Sequence, residues 1–202
     1  SKLLSDHYVG KVLGDIWGYT TDSLFATDEE AAAYAAQVND KNANKGVYAG
    51  AAPTNVLMAG DIKFIDVNGD GVINTGANTL DDPGDRKIIG NSKPRYNYSF
   101  RGDFNWMGID FQIFFQGVGK LDWMPDANCI YFWNTYSYHR PTFIPKNFEE
   151  KCWSSEEGAD NSDALYPRRR GRMCNSSNLV TSDYWLQDAS YIRLKNLTVG
   201  YT

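Results

Sequence analysis

The sequence predicts an all-β fold carrying one short helix, and three observations lead there: two long runs of period-two alternation, a helix-capping signal, and a long proline- and aromatic-rich segment without periodicity. More specifically, it predicts part of a transmembrane antiparallel β-barrel with long extracellular loops.

The first organised stretch is Gly10–Tyr19, where Val12, Leu13, Ile16 and Trp17 are set among glycines. Thr27 and Glu30 then have the spacing of a capping box, in which the threonine oxygen accepts a backbone N–H and the glutamate reaches back. A helix over 28–38 follows, with an alanine-rich body, and Asp40, Asn42, Asn44 and Gly46 end it. Residues 59–93 read as loop, since Asp, Asn and Gly recur and Asp82-Pro83-Gly84 breaks any regular element. The segment 22–93 is loop-rich as a whole.

From Pro94 the pattern changes. Tyr96, Tyr98, Phe100 and Phe104 alternate with Arg95, Asn97, Ser99, Arg101 and Asp103, a strand with one apolar and one wet face. Asn105–Gly108 reverses the chain, and Ile109, Phe111, Ile113 and Phe115 then alternate with Asp110, Gln112 and Gln116, Phe114 being the exception. The expected element is an antiparallel hairpin over 94–117. Periodicity alone fits either a soluble sandwich, with the aromatic face as its core, or a barrel, with that face on lipid. The segment 121–178, with Pro125, Pro141, Pro145 and Pro167, favours the barrel, because compact soluble domains seldom hold so long an irregular stretch. In the last run, 190–202, the apolar phase moves from Ile192 and Leu194 to Leu197, Val199 and Tyr201, so a bulge is expected near Lys195-Asn196. The run stops at Thr202 in mid-strand, which suggests a piece of something longer.

Composition sets bounds on function. The 202 residues carry 20 Lys and Arg against 25 Asp and Glu, a net charge of -5 that disfavours nucleic acid. Aromatic content is 14% although mean hydropathy is -0.50, which suits a surface-rich β protein. No apolar run is long enough for a transmembrane helix, a test that barrel strands never meet. Ser1-Lys2-Leu3-Leu4 is no secretory leader, so either the chain is cytosolic or an amino-terminal part is missing. Cys129, Cys152 and Cys174 lack metal-site spacing and allow at most one disulfide. His7 and His139 are the only histidines, and no G-x-S-x-G, P-loop or H-E-x-x-H motif occurs, so no enzyme is expected.

The sharpest chemical motif is Asp66–Asn74, which follows the first nine positions of an EF-hand-like loop. Asp66, Asn68 and Asp70 supply oxygens at alternate positions, Gly71 turns the chain, the Val72 carbonyl follows, and Asn74 takes the water-bridged position. The twelfth position is Ala77, so a substitute acid must come from Asp81, Asp82 or Asp85, and calcium is the expected ion. The alternative is an Asx-rich turn closed by its own side-chain to backbone bonds. Trp123, Tyr131, Trp133 and Tyr136, with Phe132 and Tyr138, offer flat faces for sugar rings or a partner, or else an interfacial girdle or plain loop packing. Arg168–Arg170 and Arg172 suit lipopolysaccharide phosphates or an acidic substrate, against a solvated loop.

Four stretches together resemble the carboxy-terminal part of the SusC/RagA family of TonB-linked (TonB-dependent) outer-membrane receptors: Val12–Tyr19, Gly60–Ile73, Asp85–Asn91 and Ser190–Tyr201, with Phe114–Gly117 similar to a barrel strand of the family. The resemblance implies a barrel of about 22 strands in the whole protein, an amino-terminal plug, energy from TonB through the absent amino-terminal part, and a SusD-like lipoprotein over the mouth. It implies the outer membrane of Gram-negative Bacteroidetes, contact with its lipid, and a glycan or peptide as cargo. The plug, the TonB box and the final strands have no counterpart here, and the insertion between Asn74 and Asp85 exceeds the usual family spacing. The rival expectations are a soluble calcium-stabilised β-sandwich that binds glycans and, further off, a secreted glycoside hydrolase.

Overall fold

The computed structural model describes residues 2–38, 57–125, 146–168 and 176–202. Its elements in chain order are β1 (Asp15–Tyr19), β2 (Thr21–Leu24), α1 (Asp28–Val38), β3 (Ile62–Phe64), β4 (Arg86–Asn91), β5 (Tyr96–Trp106), β6 (Ile109–Gly119), β7 (Asp122–Trp123), β8 (Gln187–Asp188) and β9 (Tyr191–Tyr201), with single 3-10 turns at Glu149–Lys151 and Ser176–Leu179. The regular elements are thus mostly strands with one helix, and among the described residues no helix is long and apolar enough to cross a membrane. The chain divides into two units, one of residues 1–9, 17–89 and 125–185, the other of 10–16, 90–124 and 186–202; β1 pairs with β4, and each of these strands passes from one unit into the other.

In the first unit the core is small. Phe25, Ala31, Ile62 and Phe64 are fully enclosed, with Ile73, Phe148 and Trp185 almost so. The helix starts where its cap predicts: Thr27 Oγ1 accepts the Glu30 N–H at 3.1 Å. The return bond differs from a capping box, since Glu30 Oε2 accepts the N–H of Ala26 rather than that of Thr27, at 3.0 Å. Glu30 also meets Lys63 Nζ at 3.0 Å, and these two donors hold its carboxyl below the usual range. The Tyr34 hydroxyl donates to the Phe64 carbonyl, and its ring tilts against Phe25. Within the stretch expected as loop, Ile62–Phe64 pairs antiparallel with β2, Leu24 opposite Ile62.

A buried polar junction fixes the start of β3. Asp61, fully enclosed, accepts the Met58 N–H and the Asn178 side-chain amide, both at 2.9 Å. Asn178 Oδ1 accepts the Ile62 N–H at 2.9 Å, and its carbonyl accepts the Trp185 indole N–H at 2.7 Å. Buried polar groups need partners, and these bonds tie residues 176–185 to β3.

The second unit is built on a three-stranded antiparallel sheet in the order β5-β6-β9, every strand being 11 residues long. Both hairpin strands run two residues past their expected ends, to Trp106 and Gly119. The reversal is the two-residue turn Met107-Gly108, with φ of 49° and 83°. A type I′ hairpin turn demands positive φ at both positions, and here a methionine occupies the first.

Candidate functional site

The sheet sorts its side chains by chemistry. Pairing sets Phe100 opposite Phe115, Phe104 opposite Phe111 and Trp106 opposite Ile109, so the even positions of β5 share a face with the odd positions of β6. Across β6, Phe115 pairs with Leu194 and Gly117 with Ile192, while Ile113 pairs with Leu197 and Phe111 with Val199. The register slips between Phe114 and Phe115, because Phe114 faces Asn196 and Lys195 is left over. That extra residue is the bulge, and its effect is specific: it returns Leu197, Val199 and Tyr201 to the face already holding Ile192 and Leu194. One face is therefore apolar on all three strands, glycines apart.

The apolar face lies open. Tyr96, Phe100, Phe104 and Trp106 of β5, Ile109 and Phe111 of β6, and Ile192, Leu197, Val199 and Tyr201 of β9 are between 36% and 82% exposed. Tyrosine and tryptophan stand at its two ends, Trp106 and Tyr201 beside the turn, Tyr96 and Tyr98 at the other, with Phe, Ile, Leu and Val between. The Tyr98 ring lies flat over Gly117, where a Cβ would meet it at 2.3 Å, and its hydroxyl reaches the Tyr191 carbonyl at 3.4 Å. Gly117 is thus a seat for an aromatic ring that spans β6.

The opposite face is wet and cross-linked. Arg101 forms a two-pronged pair with Asp103, at 2.9 and 3.1 Å. Gln112 donates to Asp103 at 2.6 Å, Arg193 donates to Gln116 at 3.3 Å, and Asn105 donates to Asp110. Phe114, the exception in the sequence pattern, lies on this face, as do Val118 and Tyr191 at its loop end. The chain enters β5, leaves β6 and re-enters β9 at one end of the sheet, where Tyr96 pairs with Gly119 and Val118 with Tyr191. The Met107-Gly108 turn lies at the other, where β9 ends with Tyr201 opposite Ile109.

The Asx-rich loop closes on itself. Asp66 accepts the N–H groups of Gly69 at 2.7 Å and Gly71 at 2.9 Å; Asn68 accepts that of Asp70 at 3.0 Å; Asp70 accepts that of Val72 at 2.8 Å. Asn74 Oδ1 accepts the Gly76 N–H at 2.5 Å. Of the acids beyond Ala77, Asp85 is the one brought back: fully buried, it accepts the Val67 N–H at 2.9 Å and the Asn74 N–H at 2.8 Å. Burial pushes its carboxyl up and the charge of Asp66 adds to that push, against the N–H groups that favour the charged form. Asp82 braces the insertion instead, through the Ala77 N–H at 2.8 Å, and Arg86 ties it down through the Thr75 carbonyl and Asn78. No group of three or more His, Cys, Asp or Glu placed to hold a metal occurs among the described residues.

Of the aromatic candidates, Trp123 lies in β7 and is 53% exposed, while Tyr131, Trp133 and Tyr136 lie outside the described residues. Arg168 covers the Trp153 ring and pairs with Asp28 at 3.6 Å; Arg169, Arg170 and Arg172 lie outside the described residues.

No protein-family model matches the chain. It is similar to TonB-dependent receptor P3 of Formosa agariphila, at 28% identity over 165 residues, which cover 78% of this chain and 14% of that protein. The chain thus spans about a seventh of its relative's length, and the similarity supports a fragment of a TonB-dependent receptor.

Proposed function

We propose that the chain forms part of the barrel wall and loops of a TonB-dependent outer-membrane importer, its apolar sheet face against lipid and its polar face toward a wet lumen. The observation that carries this is the exposed apolar face held in register over three strands of 11 residues. About a dozen large side chains at roughly half exposure amount to on the order of 1,000 Å² of apolar surface, whereas soluble monomers seldom show a patch beyond about 300–600 Å². Strands of that length extend about 36 Å and, tilted by about 45°, rise about 25 Å, the height of the lipid-facing band of outer-membrane barrels. A soluble sandwich would need this face covered, and among the described residues it is bare.

Orientation follows from connectivity. Barrels keep short turns on the periplasmic side and long loops outside, so Met107-Gly108 is periplasmic and the Tyr96–Gly119–Tyr191 end is extracellular. The SusC/RagA resemblance adds a SusD-like lipoprotein docked through loops within 121–178, TonB as the energy source and a glycan or peptide as cargo. Trp123, exposed at the start of that segment, is a contact for partner or cargo. Cysteine scanning of the intact receptor tests the placement. Positions 96, 98, 100 and 104 should take an apolar bilayer-confined reagent and 97, 99, 101 and 103 a water-soluble one; equal labelling of both sets would sink it.

Calcium belongs to the proposal as a structural ion of the loop over 66–85. An ionised carboxylate offers about four lone-pair sites, so Asp66, Asn68, Asp70, the Val72 carbonyl and Asn74 keep oxygens for a cation after satisfying the loop. A cation there would also relieve the repulsion between Asp66 and Asp85. Millimolar calcium should raise the melting temperature of the intact receptor and Asp70→Ala should abolish the rise; no rise in the unaltered protein would remove the ion from the account.

A further inference from the structure

The wet face of the sheet changes character along the strands. In its turn half the charges are answered: Arg101 is neutralised by its two-pronged pair with Asp103, which also takes the Gln112 amide, and Asn105 donates to Asp110. The loop half is different, for residues 95–101, 112–119 and 191–196 contain no Asp or Glu. Register places Ser99, Gln116 and Arg193 on one rung of that half, since Ser99 pairs with Gln116 and Gln116 with Arg193. Paired residues have Cβ atoms about 5 Å apart, so the three side chains stand in a row about 10 Å long across three strands.

Within that row Arg193 is held from two sides. Its Nη2 donates to Gln116 Oε1 at 3.3 Å, and the guanidinium lies 5.3 Å from the centroid of the Tyr191 ring. Neither holder is charged, and no ion pair among the described residues includes Arg193. Gln116 gives its oxygen to Arg193, which leaves its amide nitrogen as a donor. Neither that nitrogen nor the Ser99 hydroxyl has a partner among the described residues. The rung is therefore a row of three donors, one of them a positioned cation whose charge nothing described offsets. The rungs on either side bring Tyr191 and Phe114 to the same face, apolar surface against which the body of a ligand can lie.

From this geometry we infer that Ser99, Gln116 and Arg193 form a binding subsite for a carboxylate carried by the imported cargo. The inference rests on the importer reading above and adds the chemical class of what is carried, anionic rather than neutral. A guanidinium fixed in advance loses less freedom when a ligand arrives, and its planar fork matches the two oxygens of a carboxylate. The Gln116 amide and the Ser99 hydroxyl extend the same row of donors, so a carboxylate lying along the rung has its remaining lone pairs met as well. The acid-bearing turn half of the face repels the same group, which confines the subsite to the loop half.

The test is calorimetric titration of the intact detergent-purified receptor with two pairs of probes that differ chiefly in charge: trigalacturonate against its methyl ester, and triglutamate against triglutamine. In one pair the acid should bind on the order of tenfold more tightly than its neutral counterpart, the strength of hydrogen bonds to a charged group. The pair that discriminates names the source of the carboxylate, sugar or peptide. Arg193→Gln should erase the preference and Ser99→Ala should weaken acid binding about threefold, while binding of the neutral probe stays unchanged, a pattern that loss of folding does not produce. Equal binding of acid and neutral probes in both pairs, or a preference that survives Arg193→Gln, would overturn the subsite. Cysteine labelling separates the causes. Water-soluble labelling of positions 97, 99, 101 and 103 with no acid preference refutes this subsite alone, whereas labelling of those positions by the apolar reagent refutes the barrel-wall placement and the subsite with it.

Discussion

Leu197→Arg separates a lipid-facing sheet from a soluble one by a free-energy difference large enough to measure. Leu197 is 52% exposed and pairs with Ile113, which pairs in turn with Gly102. Ile113 is four residues from the turn end of β6 and six from the other end. At about 3.4 Å per residue and a tilt of about 45°, Leu197 lies roughly 10–14 Å from either edge of the apolar band, close to its midplane. Arginine on the lipid face at that depth costs about 2–4 kcal/mol, and about 0–1 near the interface, where Tyr201 sits. On a soluble protein a half-exposed leucine replaced by arginine changes stability by about 0.5 kcal/mol or less. Asn196→Arg, one residue away on the polar face, is the matched control. The assay is the folded fraction of the intact receptor in outer-membrane preparations, with urea melts of the protein refolded in lipid. Leu197→Arg should lose at least tenfold in folded-to-unfolded ratio, Tyr201→Arg and Asn196→Arg little. Indistinguishable behaviour of Leu197→Arg and Asn196→Arg would refute the placement of the faces.

Three further outcomes follow from packing and charge. Gly117→Val puts side-chain atoms where the Tyr98 ring lies, 2.3 Å from an added Cβ, and should destabilise the sheet by about 1–3 kcal/mol in a urea melt, with partial recovery when Tyr98→Ala is added. Asn178→Ala removes the acceptor of the Ile62 N–H and a donor to buried Asp61, and should cost about 1–3 kcal/mol, seen as faster amide exchange over 58–64. Tyr19 is buried and its phenol is pushed up to about 12, chiefly by burial. An acid with a raised folded-state pKa holds its proton more tightly when folded, so its contribution is intact below pH 10 and falls as pH climbs from 10 toward 12, by about 2–3 kcal/mol at the end; Tyr19→Phe should flatten that part of an alkaline stability curve.

The parts of the fold legible in the sequence are those governed by local periodicity. A one-sided strand must alternate, so β5 and β6 announce themselves, and the phase change across Lys195 marks the bulge because a strand cannot otherwise change faces. Thr27 and Glu30 mark the helix start, since orphan N–H groups need an acceptor there. The pairing of β2 with β3 is hidden, as it joins residues about forty apart through only three rungs, Thr21↔Phe64, Ser23↔Lys63 and Leu24↔Ile62. The ends of the hairpin are hidden too, because Asn105 and Trp106 resemble turn residues until Met107 adopts positive φ. In the Asx-rich loop Asp81, Asp82 and Asp85 look equivalent as acids. Burial alone distinguishes them: Asp85 is enclosed and braces Val67 and Asn74, whereas Asp81 and Asp82 are exposed.

The most direct test of the central claim is a structure of the intact receptor in a lipid nanodisc. The account predicts further strands paired to the outer edges of both β5 and β9, with Phe100, Phe104, Leu197 and Val199 facing the disc lipid and Arg101, Asp103 and Gln112 facing water inside. A structure in which the same apolar face packs against a second protein layer, away from lipid, would contradict it.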